Sequence, residues 1–328
     1  MKAIQAASLE SIDAYRQVEL PTPEPGAGEL RLRVGYCGVG YVDALVSLGR
    51  YQVKPPLPHV PGGEVAGVVE ALGEGSWDVS PGDRVMAKVS GGFAQGALAT
   101  ARDVRAIPPT MSLAQAAGFR VNYLTALHGL RDRARLAAGE TLLVIGAAGG
   151  TGMAAVQVGR AMGARVIAVA STPEKRAAAE AAGAHASLDR EPEGWRERLK
   201  ALAPEGVDVV FDPVAGPLMQ PAFRSLRWGG RHLVIGFAGG EIPALPVNLP
   251  LLKGASLVGV DYRQFSAVFE PEAAERALGE LLDWVAEGRL VPPVGRVFPF
   301  EEATAALEFA LTGAGSAKTL LAVDPTLD

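Results

Sequence analysis

Between Thr141 and Ala164 the chain reads TLLVIG, then AAGGTG, then MAAVQVGRAMGA: an apolar strand-forming run, a glycine cluster and a helix-forming stretch. No other segment restricts the fold so strongly. A strand that meets a helix through glycines leaves backbone N–H groups open at the helix start, the geometry of a parallel α/β sheet. Three further apolar runs follow, ARVIAVA, DVVFD and RHLVIGF, separated by the helical segments PEKRAAAEAAG and GWRERLKALA. Strands this uniformly apolar, alternating with helices, predict a parallel sheet covered on both faces. LVGVDYR adds a last strand.

Within the glycine cluster, Ala148, Gly149, Gly150, Thr151 and Gly152 are the candidates for holding a pyrophosphate. Backbone N–H groups and the helix N-terminus supply donors and partial positive charge, provided no side chain blocks the approach. The match to G-x-G-x-x-G is imperfect, since Ala147 stands in the place of the first glycine. An ordinary tight turn is the alternative, but the following strand at the right distance favours a dinucleotide.

Cofactor choice is expected near the end of ARVIAVA, where NAD-binding chains commonly present a carboxylate to the adenosine ribose. Here the residues are Ser171, Thr172 and Pro173, with Lys175 and Arg176 just beyond and Arg190 after the strand candidate HASLD. Nothing there repels a 2′-phosphate, so NADPH is expected over NADH, with Ser171, Lys175 and Arg190 as its contacts. Solvated charges at a helix start are the plainer alternative for the two basic residues of that helix.

The first third of the chain is different. LRLRVGYCGVG, EVAGVVEALG and GDRVMAKV are short strands punctuated by Gly and Pro, which predict a small β barrel or sandwich. Helical spacing begins near Ser112. At 328 residues, two domains are expected. A net charge of −5 without a dense basic run argues against nucleic acid as a partner. There is neither an apolar signal-peptide core nor an apolar stretch long enough for a membrane span, so a soluble, cytoplasmic protein is expected. A single cysteine, Cys37, and four histidines leave little material for a metal site.

AAGGTG, STPEKRAAAEAAGAH, VDVVFDPVAGP and WGGRHLVIGFAGGEIPALPVNLPLLKGASLVGV together closely resemble the quinone oxidoreductase branch of the zinc-free medium-chain dehydrogenase/reductase superfamily, the zeta-crystallin-like group. The resemblance covers almost the whole chain. It implies an α/β fold in which a GroES-like β-rich catalytic domain accompanies a Rossmann doubly wound parallel sheet. The implied boundaries are 1–117 for the N-terminal part of the catalytic domain, 118–261 for the Rossmann domain and 262–328 for a C-terminal part that completes the first. It further implies NADPH-dependent, zinc-independent hydride transfer to a quinone or an α,β-unsaturated carbonyl in the interdomain cleft, and a homodimer in which LVGV near Ser256 pairs across a two-fold axis.

By the same resemblance, Val214, Phe237 and Ala238 line the nicotinamide side, while Thr125, Asn248 and Lys318 approach the cofactor. Tyr51 and Tyr41 are the candidate catalytic groups; a phenol there acts as a neutral donor to the acceptor carbonyl. Asp43 lies near the same mouth or simply caps its helix. Zinc relatives have His before Glu in a G-H-E turn, where this chain has Gly62, Gly63, Glu64, so Cys37 is expected to be a small buried thiol. Relatives usually have Asn at the position of Gly40, which is expected to enlarge the pocket and remove a donor. His128 and His185 are expected on a helix face and in a loop. A zinc alcohol dehydrogenase and an NADPH-binding crystallin-type protein with little turnover are the competing readings.

Overall fold

In the computed structural model, which describes Met1 to Asp328, the apolar runs form six parallel strands. Across the sheet they lie in the order Ala186–Leu188, Arg165–Val169, Thr141–Ile145, Val207–Asp212, Leu226–Val234 and Ser256–Gly259. Counted along the chain, the order runs from the third strand back to the first and then outward from the fourth to the sixth. That is the doubly wound Rossmann arrangement, whose switch point falls between Thr141–Ile145 and Val207–Asp212. Leu143, Ile167, Val210, Phe223 and Trp195 fill the layer between sheet and helices.

The second sheet is centred on the long strand Glu29–Val39, which pairs antiparallel with Glu64–Leu72, Gly96–Thr100 and Lys318–Ala322. Arg84–Lys88 and Val104–Ala106 extend it on one side and Val294–Pro299 on the other. One strand with three partners bends the sheet around its core, where Leu30, Leu32, Val34, Val65, Val69, Phe93 and Leu321 pack. This is the expected GroES-like architecture, with the C-terminal strand completing it.

The two compact units are Met1–Val121 with Pro292–Asp328, and Asn122–Val291. The return to the first unit therefore begins at Pro292, which corrects the boundary of 262. The helix Pro271–Ala286 is amphipathic and carries no sequence mark of which sheet it serves. Arg131 binds its Glu280 at 2.7 Å, and Val291 exchanges two hydrogen bonds with Gln157, so this stretch belongs with the Rossmann sheet. The helix Arg120–Leu127 widens to a π-helix over His128–Arg133. There the His128 ring stacks on Phe265 at 4.0 Å and its Nδ1 lies 2.9 Å from Asp132.

Candidate active site

Gly149 enters the helix Gly150–Ala161 from extended backbone with no side-chain cap, so the first N–H groups of the helix stay available to an anion. Gly150 and Gly152 have no room for a side chain. A Cβ at Gly152 would run into the carbonyl oxygen of Gly146, and one at Gly150 would come within 2.9 Å of the Asn122 amide. Ala147, in the first place of the glycine pattern, is fully buried and donates its N–H to the Val169 carbonyl at 3.0 Å. Ala148 is buried behind the turn. The cradle thus fits a pyrophosphate.

Asn122 was not singled out from sequence, yet it braces this loop. Its Oδ1 accepts the Thr151 hydroxyl at 2.9 Å from a position only 5% exposed. A polar residue in a helix reads as a surface group until its tertiary partner is known. Thr125 follows one turn later on the same helix and is half-buried.

At the switch point, Gly146 has φ +65°, and a Cβ there would lie 2.6 Å from Val214 Cγ2. Val214 and Ala215 donate their N–H groups to Asp212 Oδ1 at 3.0 and 2.7 Å. Ala238 donates to Pro213 and Gly239 to Val214, at 3.1 and 2.9 Å. Structure therefore brings Val214 and Ala238 to the glycine loop, with exposed Phe237 leading into their turn. Asn248 instead opens the short helix Asn248–Lys253 on the surface.

Thr172 caps the helix Pro173–Ala181 by accepting the Lys175 N–H at 3.3 Å. Partial burial and the neighbouring Arg190 guanidinium press the Lys175 ammonium below the ordinary lysine range. Two cations thus share the strand end that Ser171 closes. Asp189, the acid beside Arg190 in sequence, is engaged by Arg198 at 2.8 Å.

In the β-rich unit, Tyr41 is the first residue of the helix Tyr41–Ser47 and Tyr51 lies in the loop after it, each half-buried. Asp43 Oδ2 accepts the Gly40 N–H at 2.7 Å and so caps that helix. Lys318 corrects the expectation for Gly40: a Cβ there would lie 2.8 Å from Lys318 Nζ, so the space is filled by an ammonium donor. Cys37 is buried with its thiol on the Glu64 carbonyl at 3.3 Å, and burial pushes that thiol well up. A zinc ion does not fit these residues, since Gly63 stands where a histidine ligand is needed and no three His, Cys, Asp or Glu side chains converge. His185 lies in a turn, where its Nδ1 accepts the Val166 N–H at 3.0 Å.

Comparison with known proteins agrees with this geometry. Residues 26–123 match the alcohol dehydrogenase GroES-like domain and residues 150–279 the zinc-binding dehydrogenase family. The chain is 36% identical over 310 residues to quinone oxidoreductase-like protein 2 of Bos taurus, covering 93% of this chain and 88% of that one. Among solved structures, the quinone oxidoreductase of Thermus thermophilus, determined alone and with NADPH, is 35% identical with a TM-score of 0.83, over 98% of this chain and 100% of that one. The Escherichia coli quinone oxidoreductase complexed with NADPH is 25% identical with a TM-score of 0.88, again over 98% and 100%. A chain with this sheet order, this glycine cradle and these relatives is an oxidoreductase and belongs to the quinone oxidoreductase branch of the medium-chain dehydrogenase/reductase superfamily.

Proposed function

We propose that the protein is an NADPH-dependent, zinc-independent reductase of quinones or α,β-unsaturated carbonyls. The observation that carries the cofactor choice is Lys175, whose ammonium lies close enough to Arg190 to be pressed down by it, in a stretch where Ser171, Thr172 and Pro173 stand in the place that NAD-binding chains commonly give to a carboxylate. Like charges held together are relieved by a dianion, and the 2′-phosphate of NADPH is one. Similarity to quinone oxidoreductases solved with NADPH supports the same reading.

In this reading Gly149 to Gly152 hold the pyrophosphate, while Val214, Phe237 and Ala238 form the wall for the nicotinamide. Thr125, Asn248 and Lys318 are assigned to the cofactor on resemblance. Bound NADPH supplies the hydride. Tyr41 and Tyr51 offer neutral phenols to the acceptor, and a dry, positioned carbonyl needs no metal for the transfer.

The test is NADPH oxidation by the purified protein with benzoquinone, phenanthrenequinone and a small enone. Turnover with any of them supports a reductase. Tight NADPH binding without turnover favours the crystallin-type alternative, and absence of NADPH binding removes the cofactor assignment.

A homodimer belongs to the proposal. Ser256–Gly259 is the edge strand of the Rossmann sheet, and Leu257 on it is exposed, as are Trp228, Leu251 and Leu252. Uncovered edges of this kind invite a second strand. Light scattering that gives a monomer at micromolar concentration contradicts it. No helix is long and apolar enough to cross a membrane. A cytoplasmic setting is proposed with it, in keeping with an unpaired buried thiol.

A further inference from the structure

Between the pairs Val207–Leu226 and Val209–Arg231, one strand of the Rossmann sheet advances two residues while its neighbour advances five. The surplus forms a bulge that turns Arg227 and Trp228 out of the sheet, at the end opposite to the one that carries the glycine loop. Gly254, just after the helix Asn248–Lys253, lies under the indole of Trp228. A Cβ there would be 2.8 Å from Cδ2, Cε2 and Cε3 alike, a point above the six-membered ring rather than beside it. One face of the ring is thus seated on backbone while the residue stays 79% exposed. An aromatic plate held in this way is ready to stack on a planar ligand.

Trp228 lines a cavity of 830 Å³ together with Arg196 and Lys200, one turn apart on the helix Trp195–Leu202, and with Arg224, Arg227 and Lys253. The five cations come from four separate elements, so no dense basic run marks them in the sequence. Only two acids, Glu197 and Glu205, share the lining. Arg227 is paired with Asp208 at 3.0 Å, whereas no ion pair holds the other four cations. Burial and the nearby Arg196 guanidinium press the Lys253 ammonium below the ordinary lysine range. Cations gathered with too few counter-charges are relieved by an anion.

We propose that this cavity is a second nucleotide site, which takes a nucleoside polyphosphate with its base on the open face of Trp228 and its phosphates among Arg196, Lys200, Arg224 and Lys253. A bare phosphate chain leaves the indole unused, and an uncharged ring leaves the cations unrelieved; a nucleotide serves both. The volume suits one such molecule. Leu251, Leu252 and Leu257, the apolar residues offered to a second subunit, are not part of the lining. The site is independent of the reductase reading, because it shares no residue with the glycine loop or the strand end at Ser171.

The test titrates the full chain with ATP, followed by calorimetry and by tryptophan emission, with tripolyphosphate and adenosine as controls. Wild type is expected to bind ATP with quenching of the emission, and to bind each control more weakly. Lys200→Glu and Arg224→Glu each weaken ATP binding at least about tenfold, the cost of one charge-assisted bond. Trp228→Ala weakens it at least about fivefold and abolishes the quenching, but leaves tripolyphosphate binding and the oligomeric state as in wild type. Gly152→Ala, which disturbs the glycine loop, leaves ATP binding unchanged. Absence of ATP binding, or an affinity that survives both charge reversals, overturns the proposal. So does tripolyphosphate that binds as tightly as ATP, since the indole then has no part. A loss of ATP binding in Gly152→Ala places the nucleotide on the glycine loop, and a changed oligomeric state in Trp228→Ala places the indole between copies of the chain; either result overturns the site.

Discussion

Nε2 of His232 lies 3.1 Å from Oδ2 of Asp212, and both side chains are almost wholly buried on adjacent strands. The other carboxylate oxygen of Asp212 holds the N–H groups of Val214 and Ala215. The pair therefore sets the turn that abuts the glycine loop. Ala215 occupies the left-handed region with φ +59°, which the two bonds to Asp212 help to maintain.

Asp212→Ala is expected to cost about 3 kcal/mol, roughly 1 kcal/mol for each of the three hydrogen bonds it removes from buried groups. NADPH affinity falls with it because Val214 is released. Urea unfolding read by fluorescence measures the first effect and cofactor titration the second. A variant as stable as wild type contradicts the role assigned to Asp212.

Asn122→Ala removes the partner of the Thr151 hydroxyl and opens the space beside Gly150. The expected result is a loss of NADPH affinity by about fivefold, near 1 kcal/mol for one hydrogen bond, with the fold intact. Equal affinities in a side-by-side titration contradict a bracing role.

Gly152→Ala places a methyl group against the Gly146 carbonyl, a backbone atom that cannot rotate away. The helix start must shift, so NADPH binding drops at least about tenfold, equivalent to 1.4 kcal/mol, as the phosphate donors are displaced. Calorimetry on a variant shown to be folded by circular dichroism decides it.

The depressed pKa of Lys175 gives a pH effect of definite sign. Its ammonium is disfavoured in the folded, cofactor-free protein by partial burial and by Arg190, so the unfolded chain binds the proton more tightly. Stability of the cofactor-free protein from this group accordingly rises as pH climbs through the folded pKa, up to the unfolded value. NADPH affinity runs the other way, declining on the alkaline side as Lys175 discharges. Lys175→Met flattens both trends, which thermal melts and titrations across that range detect.

Much of this arrangement is legible in the sequence, because it rests on local signals. Apolar runs such as TLLVI and VDVVFD mark buried parallel strands, and Gly150 and Gly152 mark a turn where side chains would be crowded. What stays hidden depends on partners distant in the chain. Lys318 meets Gly40 only through an antiparallel register between the two ends of the molecule. Asn122 and Asp212 look like ordinary polar residues until Thr151 and His232 are placed against them. The helix Pro271–Ala286 shows which face is apolar but not which sheet receives it, hence the displaced boundary at Pro292.

The central claim is tested most directly by calorimetric titration of wild type and Lys175→Met with NADPH and with NADH. Wild type is expected to bind NADPH at least about tenfold more tightly than NADH, as charge-assisted bonds to one phosphate provide, and the variant to lose most of that preference. Equal binding of the two cofactors by wild type, or an unchanged preference in the variant, would contradict the assignment.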